Sequence, residues 1–213
     1  TYLTSLDPSM GTGGDYAAIQ VFELPTFEQV GEWHHNMTPM NQQVRILQGI
    51  NKHIHDSIIE KDSSASPQIF YSMENNTIGE AALMRVMDIG EENIMGMFLS
   101  EPIRKGHRRK FRRGFNTTAK HKIDACTKFK ELVEGGKMKI NSQLLISEMK
   151  DFVATGLSYK AKPGQHDDLV SSCLLMTRMM KVLADFDPKI FEKWTDRSSE
   201  MTTPMPIFGN FYG

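Results

Sequence analysis

Leu3-Thr4-Ser5-Leu6-Asp7-Pro8-Ser9-Met10-Gly11-Thr12-Gly13-Gly14-Asp15-Tyr16-Ala17-Ala18-Ile19 joins two apolar runs through a glycine-rich turn. The first run, with β-branched Thr4 inside it, ends on the carboxylate of Asp7. The second returns from Tyr16 to Phe22. Period and turn chemistry predict a β-hairpin with Asp7 at the tip of its first strand. Pro8 stops that strand from continuing as a paired ladder. Gly11, Gly13 and Gly14 let the turn pass close to a metal or a phosphate. Alone, the stretch reads equally as a surface hairpin with a polar tip.

Two other stretches supply carboxylates in comparable places. Gln68 to Met73 reads as a buried strand that ends at Glu74, followed by a helix over 77–87. Asp7 and Glu74 thus stand at carboxyl ends of strands, the edge where open α/β sheets bind ligands. Pro163-Gly164 then breaks the chain before His166-Asp167-Asp168, which opens an apolar helix through Leu169, Val170, Cys173, Leu174 and Met180. One Asp there is explained as an N-cap in the positive field of the helix dipole; two adjacent ones are less so. Gathered at one sheet edge, these acids would repel one another and raise each other's pKa unless cations neutralised them. Hard oxygen donors suit Mg²⁺ or Mn²⁺. Two such ions roughly 3.5–4 Å apart would suit phosphodiester hydrolysis.

The rest of the chain sets bounds. It has 213 residues and a formal net charge of −1, enough for a sizeable core and uninformative about partners as a total. Cys126 and Cys173 sit at helical apolar spacings and read as small buried hydrophobes. No apolar run approaches a membrane span, no signal peptide is visible, and no phosphate loop of the G-x-x-x-x-G-K-[ST] type occurs. These features predict a soluble intracellular protein without an ATP site of its own. A third strand is expected over 28–33, followed by His34 and His35, whose side chains would point to opposite faces of a strand and share no ion easily. Helices are expected over 39–60, 117–134 and 142–156, a buried strand over 93–99 and a short edge strand over 138–140. The stripe of the first helix is Val44, Leu47, Ile50, Ile54 and Ile58; Ile123, Cys126, Leu132 and Val133 face inward from the second. On the third, Leu145, Met149, Phe152 and Val153 form the apolar face.

Charge is concentrated in one place. Arg104, Lys105, Arg108, Arg109, Lys110, Arg112 and Arg113 put seven formal positive charges into a segment without an acid. Lys120, Lys122, Lys128 and Lys130 extend the field. Such a run suits phosphate contact, with affinity from counterion release; a solvated loop or a basic signal sequence is the plainer reading. The DNA-binding set expected here is the seven basic residues together with Lys120 and Lys122.

Asp7 in a D-x-S-x-G-x-G-G-D hairpin, Glu74 after a Tyr-Ser-Met strand and the Ala-x-x-G-x-His-Asp-Asp run resemble the nuclease domain of the large terminase subunit of tailed bacteriophages. The resemblance covers about residues 1–185. It implies an α/β, RNase H-like fold, with a mixed central β-sheet flanked by helices over 1–186; the Ser-, Pro- and Met-rich composition that follows reads as a tail over 187–213, flexible or partner-docking. It further implies a divalent-metal endonuclease that cuts concatemeric double-stranded viral DNA at the start and end of packaging, using Mg²⁺ or Mn²⁺ in two sites. By position, Asp7 bridges the metals, Glu74 is the second ligand and Asp167/Asp168 supply the third. Consecutive helical positions point about 100° apart, and the sequence does not rank the two. Asp15 and His166 are auxiliary. The implied partners are DNA, an ATPase motor domain preceding this one (which the start at Thr1 fits), portal and small terminase subunit. The implied setting is the host cytoplasm with transient docking on the procapsid. Junction resolvases and transposases share the acids, and a DNA-gripping module without catalysis is the alternative outside the enzymes. A phosphohydrolase of the HD type does not place an Asp on a strand.

Overall fold

A computed structural model describes residues 1–102, 113–156 and 158–186. The chain runs β1 (Tyr2–Asp7), β2 (Ala17–Glu23), β3 (Glu28–His35), α1 (Met40–Lys61), β4 (Ile69–Met73), α2 (Thr77–Ile89), a 3-10 turn (Glu91–Asn93), β5 (Met97–Phe98), α3 (Ala119–Glu134), α4 (Gln143–Asp151), β6 (Phe152–Thr155), β7 (Ser158–Ala161) and α5 (Asp168–Phe186). The first five strands form one sheet in the order β3-β2-β1-β4-β5. The pairings of β2 with β1 and β3 are antiparallel, and those of β4 with β1 and β5 are parallel, so the sheet is mixed. Among the described residues, no helix is long and apolar enough to cross a membrane.

Strand alternation sorts the core into two layers. Leu3, Ala18 and Phe22 face α3 and α5, joined there by Phe129, Leu132, Leu169, Cys173 and Met176. Leu6, Ile19, Val21, Tyr71 and Met73 face the opposite way, onto Val44 and Leu47 of α1 and Leu83 and Val86 of α2. Both cysteines are free and buried, and burial raises both thiols, that of Cys126 to about 11.

One polar contact fixes the helix that matters most. Ser5, on the α5 face of β1, bonds the Ser172 carbonyl at 2.9 Å and shares a 2.8 Å contact with its hydroxyl. Both residues are fully buried, so each needs the other. The contact sets α5 across β1 with its N-terminus over the carboxyl end of the strand. A second buried network docks α4. Gln29 donates to Gln20 at 2.7 Å, Gln20 donates to Glu32 at 2.8 Å, and Ser142 donates to Glu32 at 2.8 Å.

Five expected elements differ. The third helix ends at Asp151, and Phe152 and Val153 belong instead to a hairpin, with Phe152 opposite Ala161 and Val153 opposite Lys160. Gly156, at φ +60, makes its turn. The strand expected over 93–99 shrinks to two residues, with Met97 62% exposed; the 3-10 turn takes up Asn93, and Gly96 sits at φ +112, where a Cβ would stand 2.6 Å from the Ile69 carbonyl oxygen. Residues 138–140 contribute one bridge, Lys139 with Glu28, and no strand. His34 and His35 lie inside β3 and do not follow it. The buried face of α3 is Ala125, Cys126, Phe129 and Leu132, with Ile123 and Val133 only partly covered. The tail over 187–213 and the basic residues Arg104, Lys105, Arg108, Arg109, Lys110 and Arg112 lie outside the described residues.

Candidate metal centre

The register of the sheet brings Asp7 and Glu74 together. Leu6 pairs with Met73 in the parallel β1–β4 ladder, and the Glu74 N–H donates to the Leu6 carbonyl at 3.3 Å. The next residue on each strand therefore sits alongside the other on the α5 face, and both border one small cavity. The loop after β4 is pinned from both sides. Asn75 N–H donates to Phe115 O at 2.8 Å, and Asn76 caps α2 by accepting the Gly79 N–H at 2.7 Å. Asn76 also donates to Glu74 Oε2 at 3.0 Å, holding that carboxylate directly. Gly79 is required here, since a Cβ would stand 1.8 Å from the Glu74 carbonyl oxygen.

The third element is the N-terminus of α5, and its cap comes from elsewhere. Glu148 of α4 accepts the N–H groups of Leu169 and Val170 at 2.9 and 3.2 Å. That carboxylate meets the orphan donors of the first turn, so capping does not consume Asp167 or Asp168. Their side chains diverge. Asp167 accepts the Ala161 N–H at 3.2 Å and lies 3.8 Å from Lys122 Nζ. Asp168 accepts the Tyr16 N–H at 3.4 Å and lies 3.6 Å from His166 Nδ1.

The electrostatics reflect the crowding. Asp7 is raised well above the usual carboxylate range, first by burial, then by the charge of Glu74 and that of Asp168, with Asp167 contributing least. Asp168 is raised to about 6 by burial and by the charges of Asp167 and Asp15, against the lowering effect of the Tyr16 N–H and of His166. Burial and the charges of Asp168 and Asp167 raise Glu148 to about 7, although its two backbone donors pull the other way. Carboxyls held against ionisation, as those of Asp7 and Asp168 are, are ones that a cation would stabilise. Its all-oxygen donor set fits a hard divalent ion. Among the described residues, no three His, Cys, Asp or Glu side chains stand in metal-binding geometry. Instead, Asp167 and Asp168 are held by Ala161, Lys122 and Tyr16. Asp7 and Glu74 open onto a cavity of about 100 Å³, bounded also by Thr117, Lys122, Ser171 and Arg178.

The other expected residues fall around this centre. Asp15 is exposed at the entry to β2, close enough to act on Asp168. His166 packs edge-on against Tyr16, with ring centroids 4.9 Å apart. Lys120 lies along a larger cleft of about 670 Å³ that shares Ala125 and Arg178 with the small cavity. Arg113 ion-pairs with Glu91 and stacks over Phe98. His34 stacks on Tyr16 at 4.1 Å and approaches Glu148 at 3.8 Å, whereas His35 turns to Thr38. Two participants escape a reading by sequence. Glu148 resembles any surface acid, though its spacing from Leu145 places it on the covered face of α4. Arg178 sits in an apolar helix, ion-paired with Glu101, donating to Asn116 O and Thr117 Oγ1 at 3.0 Å, and stacked over Phe115.

A mixed sheet in the order β3-β2-β1-β4-β5, with acids at the ends of two adjacent parallel strands and at the start of the covering helix, defines an RNase H-like α/β domain. The chain belongs to the family described as the terminase RNaseH-like domain, which matches residues 4–179. Solved structures share the fold at low identity. The large terminase nuclease of thermophilic phage G20c with bound magnesium is 17% identical, with a TM-score of 0.54 over 83% of this chain and 81% of that one. The large terminase nuclease domain of Thermus phage P74-26 is 18% identical, with a TM-score of 0.51 over 82% and 78%. The manganese-soaked, inhibitor-bound terminase nuclease domain of human cytomegalovirus is 14% identical, with a TM-score of 0.56 over 87% and 83%.

Proposed function

We propose that this domain is a divalent-metal-dependent endonuclease that cuts concatemeric double-stranded viral DNA when genome packaging starts and when it ends. The observation behind this reading is the pairing of Asp7 and Glu74 at the ends of adjacent parallel strands, on the face covered by the helix that Asp167 and Asp168 open. Family membership and the metal-bearing relatives support it.

Asp7 would be the central ligand: it ends β1 beside Glu74 at the end of β4, and the two carboxylates border the same small cavity. Glu74 stands beside it, and the Asp167/Asp168 pair at the start of α5 supplies the third donor. These carboxylates would hold Mg²⁺ or Mn²⁺, which would supply Lewis-acid chemistry for phosphodiester hydrolysis. This chain's residues do the positioning. Asn76 orients the Glu74 carboxylate, the N–H groups of Tyr16 and Ala161 hold Asp168 and Asp167, and Glu148 holds the helix that carries both. Asp15 and His166 stand at the rim as auxiliary groups. Lys120 and the basic segment that includes Arg108, Arg109 and Arg112 contact backbone phosphates, with affinity from counterion release. In this reading an ATPase motor domain of the same subunit supplies translocation. The portal and small terminase subunit are assembly partners on a procapsid in the host cytoplasm.

Supercoiled plasmid incubated with the chain in Mg²⁺ or Mn²⁺ is expected to be nicked and linearised, with EDTA stopping the reaction. Asp7→Asn, Glu74→Gln and Asp168→Asn are each expected to lose cutting by about two orders of magnitude or more, on the scale of rate lost when a charge-stabilising group is removed. Full activity in Asp7→Asn contradicts the proposal.

A further inference from the structure

Asp7 and Glu74 stand at the sheet edge, Asp167 and Asp168 open the helix that covers it, and Lys122 pairs with one of these acids. Lys122 stands early on α3, a helix begun by the Thr118 cap, which accepts the His121 N–H at 3.2 Å. Lys128 and Lys130, further along α3, pair with Glu131 and Glu134 of their own helix at 3.2 and 3.7 Å. Lys122 instead crosses to Asp167, at 3.8 Å, and its side chain is 24% exposed. Its ammonium lies 5.5 Å from the Phe152 ring, so the β6–β7 hairpin supports it from the far side. It also bounds the small cavity onto which Asp7 and Glu74 open. Arg178 borders the same cavity, but its guanidinium is engaged by Glu101, Asn116 and Thr117.

We infer that Lys122 is a resident counter-cation of the carboxylate cluster, which neutralises Asp167 in the metal-free protein and competes with a divalent ion for that carboxylate. The inference rests on the metal-centre reading above and extends it. The sequence places Lys122 in a general positive field for DNA, whereas the structure pairs it with an acid of the site. A fixed ammonium at this range repels an incoming divalent cation and also holds the acid that the cation needs. Removing the charge therefore strengthens metal binding, while a residue that only touches DNA leaves it unchanged. Lys122 is a positioning residue here, acting through Asp167.

The test is a titration with Mn²⁺ alone, without DNA, followed by calorimetry or by the spin-resonance signal of free Mn²⁺. It compares the wild-type chain with Lys122→Met, Lys122→Gln, Lys122→Arg and Asp7→Asn. The two neutral variants are expected to bind Mn²⁺ roughly tenfold more tightly than wild type. Lys122→Arg, which keeps the charge, is expected to stay near wild type, and Asp7→Asn is expected to lose binding. Neutral variants that match wild type, or bind more weakly, overturn the role of Lys122 and leave the metal-centre reading standing. No Mn²⁺ binding by the wild type or by either neutral variant removes the metal-centre reading itself, and this inference with it.

Discussion

Asp168→Asn is expected to stabilise the metal-free protein, and the size of the gain follows from the site. Burial and its acidic neighbours raise the Asp168 carboxyl from 3.8 to about 6. An acid raised in the folded state binds more protons there than in the unfolded chain, so stability falls as pH rises from about 4 to 6 and the loss is complete above that window. At about 1.4 kcal/mol per unit, the charged carboxylate costs the fold roughly 3 kcal/mol at pH 7.5. Asparagine removes that cost, keeps an oxygen for the Tyr16 N–H and gives up at most about 1 kcal/mol of charge–dipole interaction at the start of α5. The net gain is roughly 2 kcal/mol, or about 4–8 °C in Tm for a chain of this size. At pH 5 the linkage cost is about half, and the net gain falls below about 1 kcal/mol. Thermal unfolding followed by circular dichroism in EDTA, at both pH values, measures this. A variant no more stable than wild type at pH 7.5, or equally stabilised at both pH values, would refute the electrostatic reasoning.

Two further outcomes follow from the geometry. Gly79→Ala forces a methyl group onto the Glu74 carbonyl, so the loop after β4 must shift; the expected result is roughly a tenfold or greater loss of metal-dependent cutting with α2 retained by circular dichroism, and unchanged cutting would show that Glu74 needs no fixed backbone. Joint neutralisation of Arg104, Arg108, Arg109 and Arg112 is expected to flatten the dependence of log K on log salt in DNA titrations by about 0.9 for each phosphate left unneutralised, with metal affinity unchanged. An unaltered slope would mean that the segment does not touch the phosphates.

Much of the frame is legible in the residues themselves. Alternating apolar strands that each end on an acid, glycines at the turn after Asp7 and an apolar helix opened by Asp167-Asp168 are local signals, and the structure puts those elements where the signals do. What stays hidden depends on packing. Leu145, Met149 and Phe152 are spaced as a helical stripe, so the hairpin begun at Phe152 looks like the end of a helix; its register with Ala161 is a pairing that periodicity does not contain. Glu148 looks like a solvated acid until α4 docks and turns it under the first turn of α5. Asp167 and Asp168 are equivalent as letters. They separate once one faces Ala161 and Lys122 and the other faces Tyr16. Lys122 reads as one of several lysines on a charged helix, and only the fold shows that it answers a carboxylate across the molecule.

The most direct measurement is anomalous diffraction from crystals of the chain soaked in Mn²⁺. The expected result is two peaks roughly 3.5–4 Å apart, the spacing of a two-metal centre. Asp7 would bridge them, with Glu74 on one side and Asp168 or Asp167 on the other. Peaks away from these carboxylates, or none at a Mn²⁺ concentration that supports DNA cleavage, would contradict a metal centre at this sheet edge.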